Sequence, residues 1–218
     1  MNLASPFNHD SIVSKPDKAF LLTQECSDFV SIFEQQCSLC IWTPKRSETI
    51  DKYAKRLAIA GFHLTQVVSL ENALSKLDTL PEGLGQSETK KWIVELIEIY
   101  ATLFGLDQVG MRIASSNSPM CPKFHVDHVP TRLIHALFGE GCDWFSDHHY
   151  FSSSKGGASS LKNWLKVADK DDKSFVQRTP RGSVVIMKGT RWSEASHPVI
   201  HRSPKHRQAR LVLTLDCV

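Results

Sequence analysis

The chain has 218 residues, of which 41% are hydrophobic and 22% are charged. This composition is typical of a globular protein with one sizeable core rather than of a disordered or membrane protein. No apolar run reaches the roughly 18 residues of a membrane-spanning helix, and the first ten residues lack the charged-then-apolar order of a signal peptide. We therefore expect one compact cytoplasmic protein.

Charge and histidine are unevenly distributed along the chain. Residues 1–110 carry 10 Lys and Arg against 14 Asp and Glu, a net charge of −4, whereas residues 111–218 carry 16 against 9, a net charge of +7. Eight of the ten histidines also lie in the second half. The two halves therefore have different roles, and we expect any chemistry in the second.

The six cysteines are predicted to be free thiols, because a cytoplasmic chain of this size does not need disulfides to stay folded. Cys37 and Cys40 form a CxxC within the apolar run CSLCIW, which is typical of a strand. Positions three apart on a strand point to opposite faces. We therefore interpret this pair as small buried hydrophobic side chains rather than as a redox or zinc pair.

The first half is predicted to be mainly helical. Residues 1–18 are polar, contain two prolines and show no periodicity, which indicates a loose N-terminal arm. In the region 19–107, helices are expected to begin near Ser47, Ser69 and Ser87, which are good N-cap residues. The last helix carries apolar residues at three- and four-residue spacing, namely Trp92, Leu96, Ile99, Tyr100 and Leu103. Such a stripe must be buried, and the sheet that follows is the surface we expect it to cover.

From about residue 108 onward the hydrophobic period changes to two. Eight short strand candidates follow one another, separated by Gly, Pro and Ser clusters: QVGMRIAS, PKFHVDH, RLIHALF, DWFS, SFVQRT, GSVVIMKG, HPVIHRS and ARLVLTLD. This spacing favours a sandwich or jelly roll over residues 108–218. The polar segment 150–160 is either an idle loop or a lid, and LKNWLKV after it reads as a short helix.

The run CPKFHVDHVPTR contains the strongest candidate site. If it is a strand, alternation puts His125 and Asp127 on one face and Phe124 and Val126 on the other. A neutral imidazole and a carboxylate need a third ligand, which HPVIHRSP can supply through His197 or His201. Two histidines and one carboxylate form the facial triad that leaves open positions on Fe(II), whereas a structural zinc site is closed by four protein ligands.

The order of parts in the second half resembles that of a known enzyme class. HxD at 125–127 is followed by Arg132, the Gly-led strand GSVVIMKG, His201 and then Arg210 nine positions later. This order resembles the iron- and 2-oxoglutarate-dependent dioxygenases of the double-stranded β-helix fold, which is jelly-roll and cupin-like. The resemblance covers about residues 108–218 and implies an α+β fold, with the helical N-terminal half against a C-terminal double-stranded β-helix.

This resemblance implies roles for particular residues. His125, Asp127 and His201 would hold Fe(II), and His201 is preferred to His197 because its distance from Arg210 fits the family spacing. Arg210 would bind the far carboxylate of 2-oxoglutarate, since a guanidinium can donate two parallel hydrogen bonds to a carboxylate.

The chain departs from the family pattern two positions after that arginine. Val212 stands where the family often has Ser or Thr, and Thr214 on the same face is a weaker candidate for contact with the co-substrate. Arg132 occupies a position where prolyl-hydroxylase-like members often carry an arginine. We expect Arg132 to pair with an acid across the sheet.

A second resemblance spans the whole chain. The runs CPKFHVDHVPTRLI, GEGCDW and HRSP resemble a bacterial family catalogued only as a domain of unknown function, with helices before a β-rich half. That resemblance supports the arrangement of the fold but implies no activity, so function must be argued from the site.

Three functional readings follow from these residues. The first is an Fe(II)- and 2-oxoglutarate-dependent oxygenase that carries out hydroxylation or oxidative demethylation. The second keeps the triad but binds zinc, as a hydrolase with His128 or His197 as a base or as a metal-handling protein. The third is a non-enzymatic β-sandwich binding module in which HxD is incidental.

The substrate is expected to be a small molecule or a peptide. The basic run HRSPKHRQAR favours an anionic substrate, although a solvated hairpin explains it equally well. The run lacks the interleaved aromatic residues on which nucleic-acid bases stack, so it does not favour nucleic acid.

Overall fold

The computed structural model describes residues 19–152, 158–170, 172–193, 197–205 and 208–218. The predicted arm 1–18 lies outside these residues. The segment 153–157, which falls within the predicted loop or lid, also lies outside them, so the lid stays a prediction.

The described residues form ten strands in two sheets. The strands are β1 (Phe20–Thr23), β2 (Leu39–Trp42), β3 (His63–Val68), β4 (Val109–Ser116), β5 (Thr131–Phe138), β6 (Asp143–Phe145), β7 (Val176–Arg178), β8 (Val184–Lys188), β9 (His201–Arg202) and β10 (Arg210–Cys217). The large sheet has seven strands in the order β1-β2-β8-β5-β10-β4-β3, and the small one has three in the order β7-β6-β9. The β1–β2 pair is parallel and the other pairs are antiparallel.

The described helices are α1 (Glu48–Ile59), α2 (Ala73–Lys76), α3 (Gln86–Phe104), α4 (His148–Ser152) and α5 (Ala158–Ala168), with 3₁₀ turns at Cys26–Phe33 and Leu77–Thr79. In this part of the chain no helix combines the length and apolar character needed to cross a membrane.

Helices α1 and α3 cover one face of the large sheet. Helix α1 contacts β4, β5 and β10, and the buried side chains of both helices form one core with the sheet. In the stripe predicted on α3, Trp92, Leu96 and Tyr100 are buried, while Ile99 and Leu103 are half-buried against the same core. Ile93 and Ile97 are also buried, so the apolar face is wider than the stripe.

The predicted helix starts have mixed outcomes. Ser47 is the N-cap of α1, and its side chain accepts a hydrogen bond from the Ile50 backbone N–H. The expected cap at Ser87 is wrong, because α3 already begins at Gln86 after Gly85. Gly85 has φ +93°, and a Cβ there would lie 2.6 Å from the Thr49 carbonyl oxygen, so this tight start requires glycine.

The region 19–107 is less purely helical than predicted, because it also contributes β1, β2 and β3. All four residues of β2 are buried, so its sequence LCIW shows no polar alternation. An edge strand such as β1 has only four residues, which is too short for a clear period. The strand expected from CSLCIW is present as β2, whereas β1 and β3 were not predicted.

The second half follows the strand prediction with one exception. The run 122–128 is not a strand, and its ladder contact among the described residues is an isolated bridge between His125 and His201. Pro122 is the first residue of this run and Pro130 follows its end, and proline cannot donate a ladder hydrogen bond. The helix expected from LKNWLKV is present within α5.

Candidate metal centre and adjoining cavity

The extended run around His125 lies antiparallel to β9. The His125 backbone N–H donates to the His201 carbonyl at 3.0 Å, and the His201 N–H donates to the His125 carbonyl at 2.9 Å. Residues directly opposite each other in such a pair project to the same side. The two imidazole centroids are consequently 4.5 Å apart.

The turn after β8 holds the segment that carries Asp127. The Gly189 N–H donates to the Pro130 carbonyl at 2.8 Å, and the Thr190 N–H donates to the Asp127 carbonyl at 2.9 Å. A Cβ on Gly189 would lie 2.2 Å from the Val129 carbonyl oxygen, so the two backbones approach as closely as only glycine allows. Asp127 is thus fixed through its backbone as well as its side chain.

The structure brings the three predicted ligand residues together. One ligand atom from each of His125, Asp127 and His201 lies within 4.8 Å of the others. Nε2 of His125 is 3.7 Å from Asp127 Oδ1, and Nε2 of His201 is 3.3 Å from Asp127 Oδ2. The convergence predicted from the HxD spacing is therefore present, although the segment is not a strand.

Backbone carbonyls hold both imidazoles in the tautomer that a metal ligand needs. Nδ1 of His201 lies 3.0 Å from the Val199 carbonyl, and Nδ1 of His125 lies 3.1 Å from the Lys123 carbonyl. A carbonyl accepts only from N–H, so in the neutral ring Nδ1 carries the proton and Nε2 keeps a free lone pair. Burial and the neighbouring His201 lower the pKa of His125, which favours its neutral form.

The two oxygens of the Asp127 carboxylate have different environments. Oδ1 accepts from Arg132 at 2.7 Å. Oδ2 is buried and has no hydrogen-bond partner among the described residues, with His201 Nε2 lying 3.3 Å away. Burial alone would raise the pKa of Asp127, but His201, Arg132 and His125 outweigh it and lower the pKa to about 2.

Arg132 is itself held by a second carboxylate. Its Nε and one terminal nitrogen donate to the two oxygens of Asp216 at 2.6 and 2.8 Å. Burial lowers the pKa of Arg132, but Asp216 and Asp127 outweigh it and raise that pKa. Arg132 therefore stays charged between two acids, and the expected pairing across the sheet is confirmed.

These residues fit a metal ion that prefers nitrogen and oxygen ligands. An unbonded carboxylate oxygen and two imidazole lone pairs converge on one point, and leaving such a carboxylate oxygen buried without a partner is costly. Two histidines and one carboxylate suit Fe(II) or zinc with open coordination positions. His125 is half-exposed, so one side of the site is accessible.

A cavity of about 160 Å³ extends from the two histidines to Arg210. Four arginines line it, namely Arg112, Arg132, Arg202 and Arg210, whereas Asp216 is the one acid among its described lining residues. Drug-sized ligands occupy pockets of roughly 300–1,000 Å³. The cavity therefore suits a smaller anion.

Arg210 lies deep in this cavity and is 2% exposed. Its Nε donates to the Glu140 carbonyl at 2.7 Å, and one terminal nitrogen donates to the Gly141 carbonyl at 3.2 Å. No carboxylate of the described residues lies within ion-pair distance of it. Burial lowers the pKa of Arg210, as expected for a cation held by backbone dipoles rather than by a counter-ion.

The other predicted candidates have different positions. Val212 and Thr214 line the cavity along β10 beyond Arg210, with Val212 buried and Thr214 half-buried. Nδ1 of His128 lies 2.9 Å from the Thr190 hydroxyl, so this ring is bound to the turn after β8. His197 has its ring against Tyr150, with the centroids 5.3 Å apart. Neither of these two histidines is grouped with the triad.

Sequence reasoning did not identify Arg202 as a residue of the cavity wall. This residue lines the cavity directly after His201, with its Nε 3.3 Å from Asp143 and its guanidinium 4.3 Å above the Phe124 ring. The buried Asp143 also accepts from Arg178 at 2.7 Å. One sequence signal for this pair was the DW of GEGCDW, where an acid stands next to an apolar strand residue. A buried acid in such a strand needs a cationic partner.

Comparison with known proteins gives a family and a fold. Residues 23–216 match the sequence model of a family described as "Protein of unknown function (DUF1826)". The sequence has no match among curated proteins.

Several solved structures are similar in fold. A dioxygenase for auxin oxidation from rice is 12% identical with a TM-score of 0.50, covering 91% of this chain and 82% of its own. A dioxygenase for auxin oxidation from Arabidopsis thaliana, in a binary complex with 2-oxoglutarate, is 8% identical with a TM-score of 0.46, covering 91% of each chain. A Pseudomonas putida prolyl-4-hydroxylase is 10% identical with a TM-score of 0.45, covering 89% of this chain and 100% of its own. The similarity to the rice enzyme supports the double-stranded β-helix fold. At 12% identity it does not assign roles to individual residues of this chain.

Proposed function

Because the chain belongs to the DUF1826 family, whose description assigns no activity, we propose its function from its own side chains. We propose that it is an Fe(II)- and 2-oxoglutarate-dependent oxygenase that hydroxylates or oxidatively demethylates its substrate. The observation that carries this proposal is the buried, unbonded Oδ2 of Asp127 facing the Nε2 lone pairs of His125 and His201.

In this proposal the three side chains bind the metal on one side and leave the cavity side open. Bound Fe(II) and 2-oxoglutarate would supply the activation of O₂ and the oxidising power for the reaction. Arg132 holds Oδ1 of Asp127, which leaves Oδ2 beside Nε2 of His201, where it would be available to a metal ion. A ligand oriented in this way needs little reorganisation when the ion binds.

The co-substrate is assigned to the cavity between the triad and Arg210. The buried Arg210 has no carboxylate partner in the described structure, and a buried cation is stabilised by an anion that reaches it. The cavity connects this guanidinium with the metal site and is narrow enough for a small dicarboxylate. Ile134 and Val212 form its apolar wall, which excludes water beside the bound co-substrate.

The zinc hydrolase reading has less support. His128 is bound to Thr190 and His197 is packed on Tyr150, so neither is poised as a base beside the triad. A binding module without metal leaves Asp127 Oδ2 buried and unsatisfied, at a cost of about 1–3 kcal/mol.

We assign an anionic group to the primary substrate, which is a small molecule or a peptide. Arg112 lies on the exposed side of the cavity, opposite Thr214 in the β4–β10 pair. With Arg210 occupied by the co-substrate and Arg132 paired with two acids, Arg112 is the guanidinium placed to meet a substrate carboxylate or phosphate. In a screen that measures succinate release, acidic compounds should stimulate turnover, and R112Q should raise their KM more than it lowers kcat.

The decisive experiment is an anaerobic titration with Fe(II) followed by 2-oxoglutarate. The proposal expects one metal per chain and a visible metal-to-ligand charge-transfer band once both are bound, with no band when zinc replaces iron. R210Q should keep the metal but weaken 2-oxoglutarate binding by about 10- to 100-fold, the equivalent of ~1.5–3 kcal/mol for a hydrogen bond to a charged group. R210K keeps the positive charge but cannot donate two parallel hydrogen bonds to a carboxylate. Its affinity for 2-oxoglutarate should lie between those of the wild type and R210Q.

Two results would overturn the proposal. Iron that binds without the band on addition of 2-oxoglutarate would exclude the co-substrate. Equal metal binding by the wild type and H201A would exclude the triad.

A further inference from the structure

A pair of thiols lies in the core on the helix-covered face of the large sheet. Cys37 and Cys40 are both fully buried, and their Sγ atoms are 3.6 Å apart. The expectation that they point to opposite faces is wrong, because Cys37 precedes β2 and strand alternation does not relate the two residues. The bend before the strand instead turns both side chains toward each other.

A buried lysine lies beside this pair. Lys188 ends β8, is 1% exposed and donates from Nζ to the Glu34 carbonyl at 2.8 Å. No carboxylate of the described residues lies within ion-pair distance of it, and its Nζ is 5.2 Å from the centre of the Trp192 ring. A buried ammonium without an acid is costly unless another anion compensates it.

The electrostatics of the three groups favour a thiolate at Cys37: burial lowers the pKa of Lys188, and the charge of an ionised Cys37 would oppose that shift. The hydrogen bond from Cys40 lowers the pKa of Cys37, and Lys188 lowers it further, whereas burial raises it. The same hydrogen bond, together with burial, raises the pKa of Cys40. Cys37 is therefore the thiol that loses its proton more readily, and Cys40 is the one that keeps it. A cation beside a thiol favours the nucleophilic thiolate.

We propose that Cys37 and Cys40 form a redox-active dithiol that a hydroperoxide converts to an intramolecular disulfide, with Lys188 as the positioning cation. This inference is independent of the proposed oxygenase activity. It assigns a role to three buried groups that the metal centre does not use.

The chemistry balances in two steps. Cys37 first releases its proton to solvent, and the thiolate attacks one oxygen of hydrogen peroxide, so an S–O bond forms and the O–O bond breaks. The departing hydroxide takes a proton from solvent to become water. Cys40 then attacks Sγ of Cys37, so the S–S bond forms, the S–O bond breaks and a second water leaves with the Cys40 proton. The two thiols lose two electrons and two protons, and the peroxide is reduced to two waters.

The local structure permits both steps. A disulfide requires an S–S distance of about 2.05 Å, so the sulfurs have to close by roughly 1.5 Å. Glu34, Gln35 and Gln36 lie directly before Cys37 in the chain, and all three residues are exposed. In this proposal, local opening of this short segment admits a molecule as small as hydrogen peroxide.

The test uses the full-length chain in a C121S background, because Cys121 is exposed and would react with peroxide in its own right. The reduced protein is treated with equimolar hydrogen peroxide in the presence of a chelator, then alkylated under denaturing conditions and weighed. We expect two fewer alkylated thiols and the loss of two hydrogens in the intact mass, both reversed by dithiothreitol. Peptide mapping should join Cys37 to Cys40.

Single-site variants separate the roles of the three groups. C40S should stop at a sulfenic acid on Cys37 that dimedone traps, and C37S should show no fast reaction. K188M should slow oxidation by about tenfold for each unit by which the Cys37 pKa rises, whereas K188R should stay near the wild-type rate. C142S is the matched control, because Cys142 is equally buried but has no neighbouring thiol among the described residues.

Three outcomes would overturn the proposal. The first is that no Cys37–Cys40 disulfide forms while the protein remains folded. The second is that K188M and K188R, both folded, oxidise at the wild-type rate. The third is that Cys142 reacts before Cys37.

Discussion

Strand β10 presents two different surfaces to the two sides of the large sheet. Toward the helices it presents Leu211, Leu213 and Leu215, which are fully buried in the helix-covered core. Toward the cavity it presents Arg210, Val212, Thr214 and Asp216. Because successive side chains point to opposite faces, one strand both anchors the core and builds the candidate site. The packed helix side of this strand therefore holds the backbone from which the cavity side chains project.

The histidines of the two faces differ in the same way. On the helix side, His135 uses both ring nitrogens: Nδ1 donates to the Ser183 carbonyl at 2.9 Å, and Nε2 accepts from Trp92 at 3.1 Å and from Arg46 at 2.8 Å. On the cavity side, His125 and His201 each hydrogen-bond to a backbone carbonyl through Nδ1 and leave Nε2 without a hydrogen bond to any described residue. A completed hydrogen-bond set therefore marks a structural histidine, and a free Nε2 marks a candidate ligand.

The largest expected effect comes from removing packing on the helix side of β10. L213A should lower the free energy of unfolding by about 2–5 kcal/mol, as for other buried leucines. The neighbouring T214A, on the half-buried cavity side, should lower it by less than about 1 kcal/mol. Urea denaturation of the two variants measures the difference. Equal losses would contradict the division between the faces.

The next effect tests whether the cavity face orients the metal ligand. R132Q should weaken metal binding by about 10- to 100-fold, the range for residues that hold a ligand. The Asp127 carboxylate stays ionised at neutral pH without Arg132, so the loss reflects orientation rather than charge. Calorimetric titration with Fe(II) or a redox-stable substitute gives the affinity, and R132K should recover part of it.

R181Q is the matched control for this prediction. Arg181 also pairs with an acid, Glu140, but its side chain is 68% exposed. Metal affinity and stability should both stay near the wild-type values, since exposed ion pairs contribute ~0–1 kcal/mol. The orienting role of Arg132 is wrong if R132Q reduces stability but leaves metal affinity intact.

The smallest effect is a pH dependence that originates on the helix side. Burial, together with Arg46, lowers the pKa of His135 to about 3. The unfolded chain takes up this proton near pH 6.5 and the folded chain does not, so stability is full above pH 6.5 and falls as the pH decreases toward 3. Between pH 7 and pH 5 this histidine should remove about 2 kcal/mol from the free energy of unfolding.

Denaturation curves for the wild type and H135Q across this pH range test the assignment. The glutamine does not titrate, so the variant should be less stable at pH 7 but should show a shallower decline. Parallel declines in the two proteins would show that other groups cause the pH dependence.

The residue types of the candidate site could be predicted because the relevant spacing is local. The two-residue separation of His125 and Asp127 aims both side chains the same way in any extended backbone, so their convergence does not depend on a complete strand. The hold of Arg132 on Asp127 could not be derived from spacing. It depends on Asp216, which lies 84 residues further along the chain.

Among the strands of the first half, β2 was expected from CSLCIW, whereas β1 and β3 were not predicted. The sequence LCIW of β2 is apolar throughout because both of its faces are covered, so polar alternation could not show at which residue the strand begins. The wrong expectation that Cys37 and Cys40 point to opposite faces has the same origin. Alternation relates the two residues only if both belong to the strand, and β2 begins at Leu39, after Cys37. Strand ends are set by tertiary pairing, here with β8, rather than by the local sequence.

The candidate metal centre depends on the missing side chain of Gly189, because the two backbones approach closely there. Any side chain there would meet carbonyl oxygens of the 127–130 segment at 2.2 and 2.7 Å, and the segment would have to move away. A G189A protein would keep all three ligand residues and still displace one of them. Gly189 is therefore needed for the candidate centre although it has no side-chain atom that could bind a metal. A comparison of metal-binding side chains alone would not identify it.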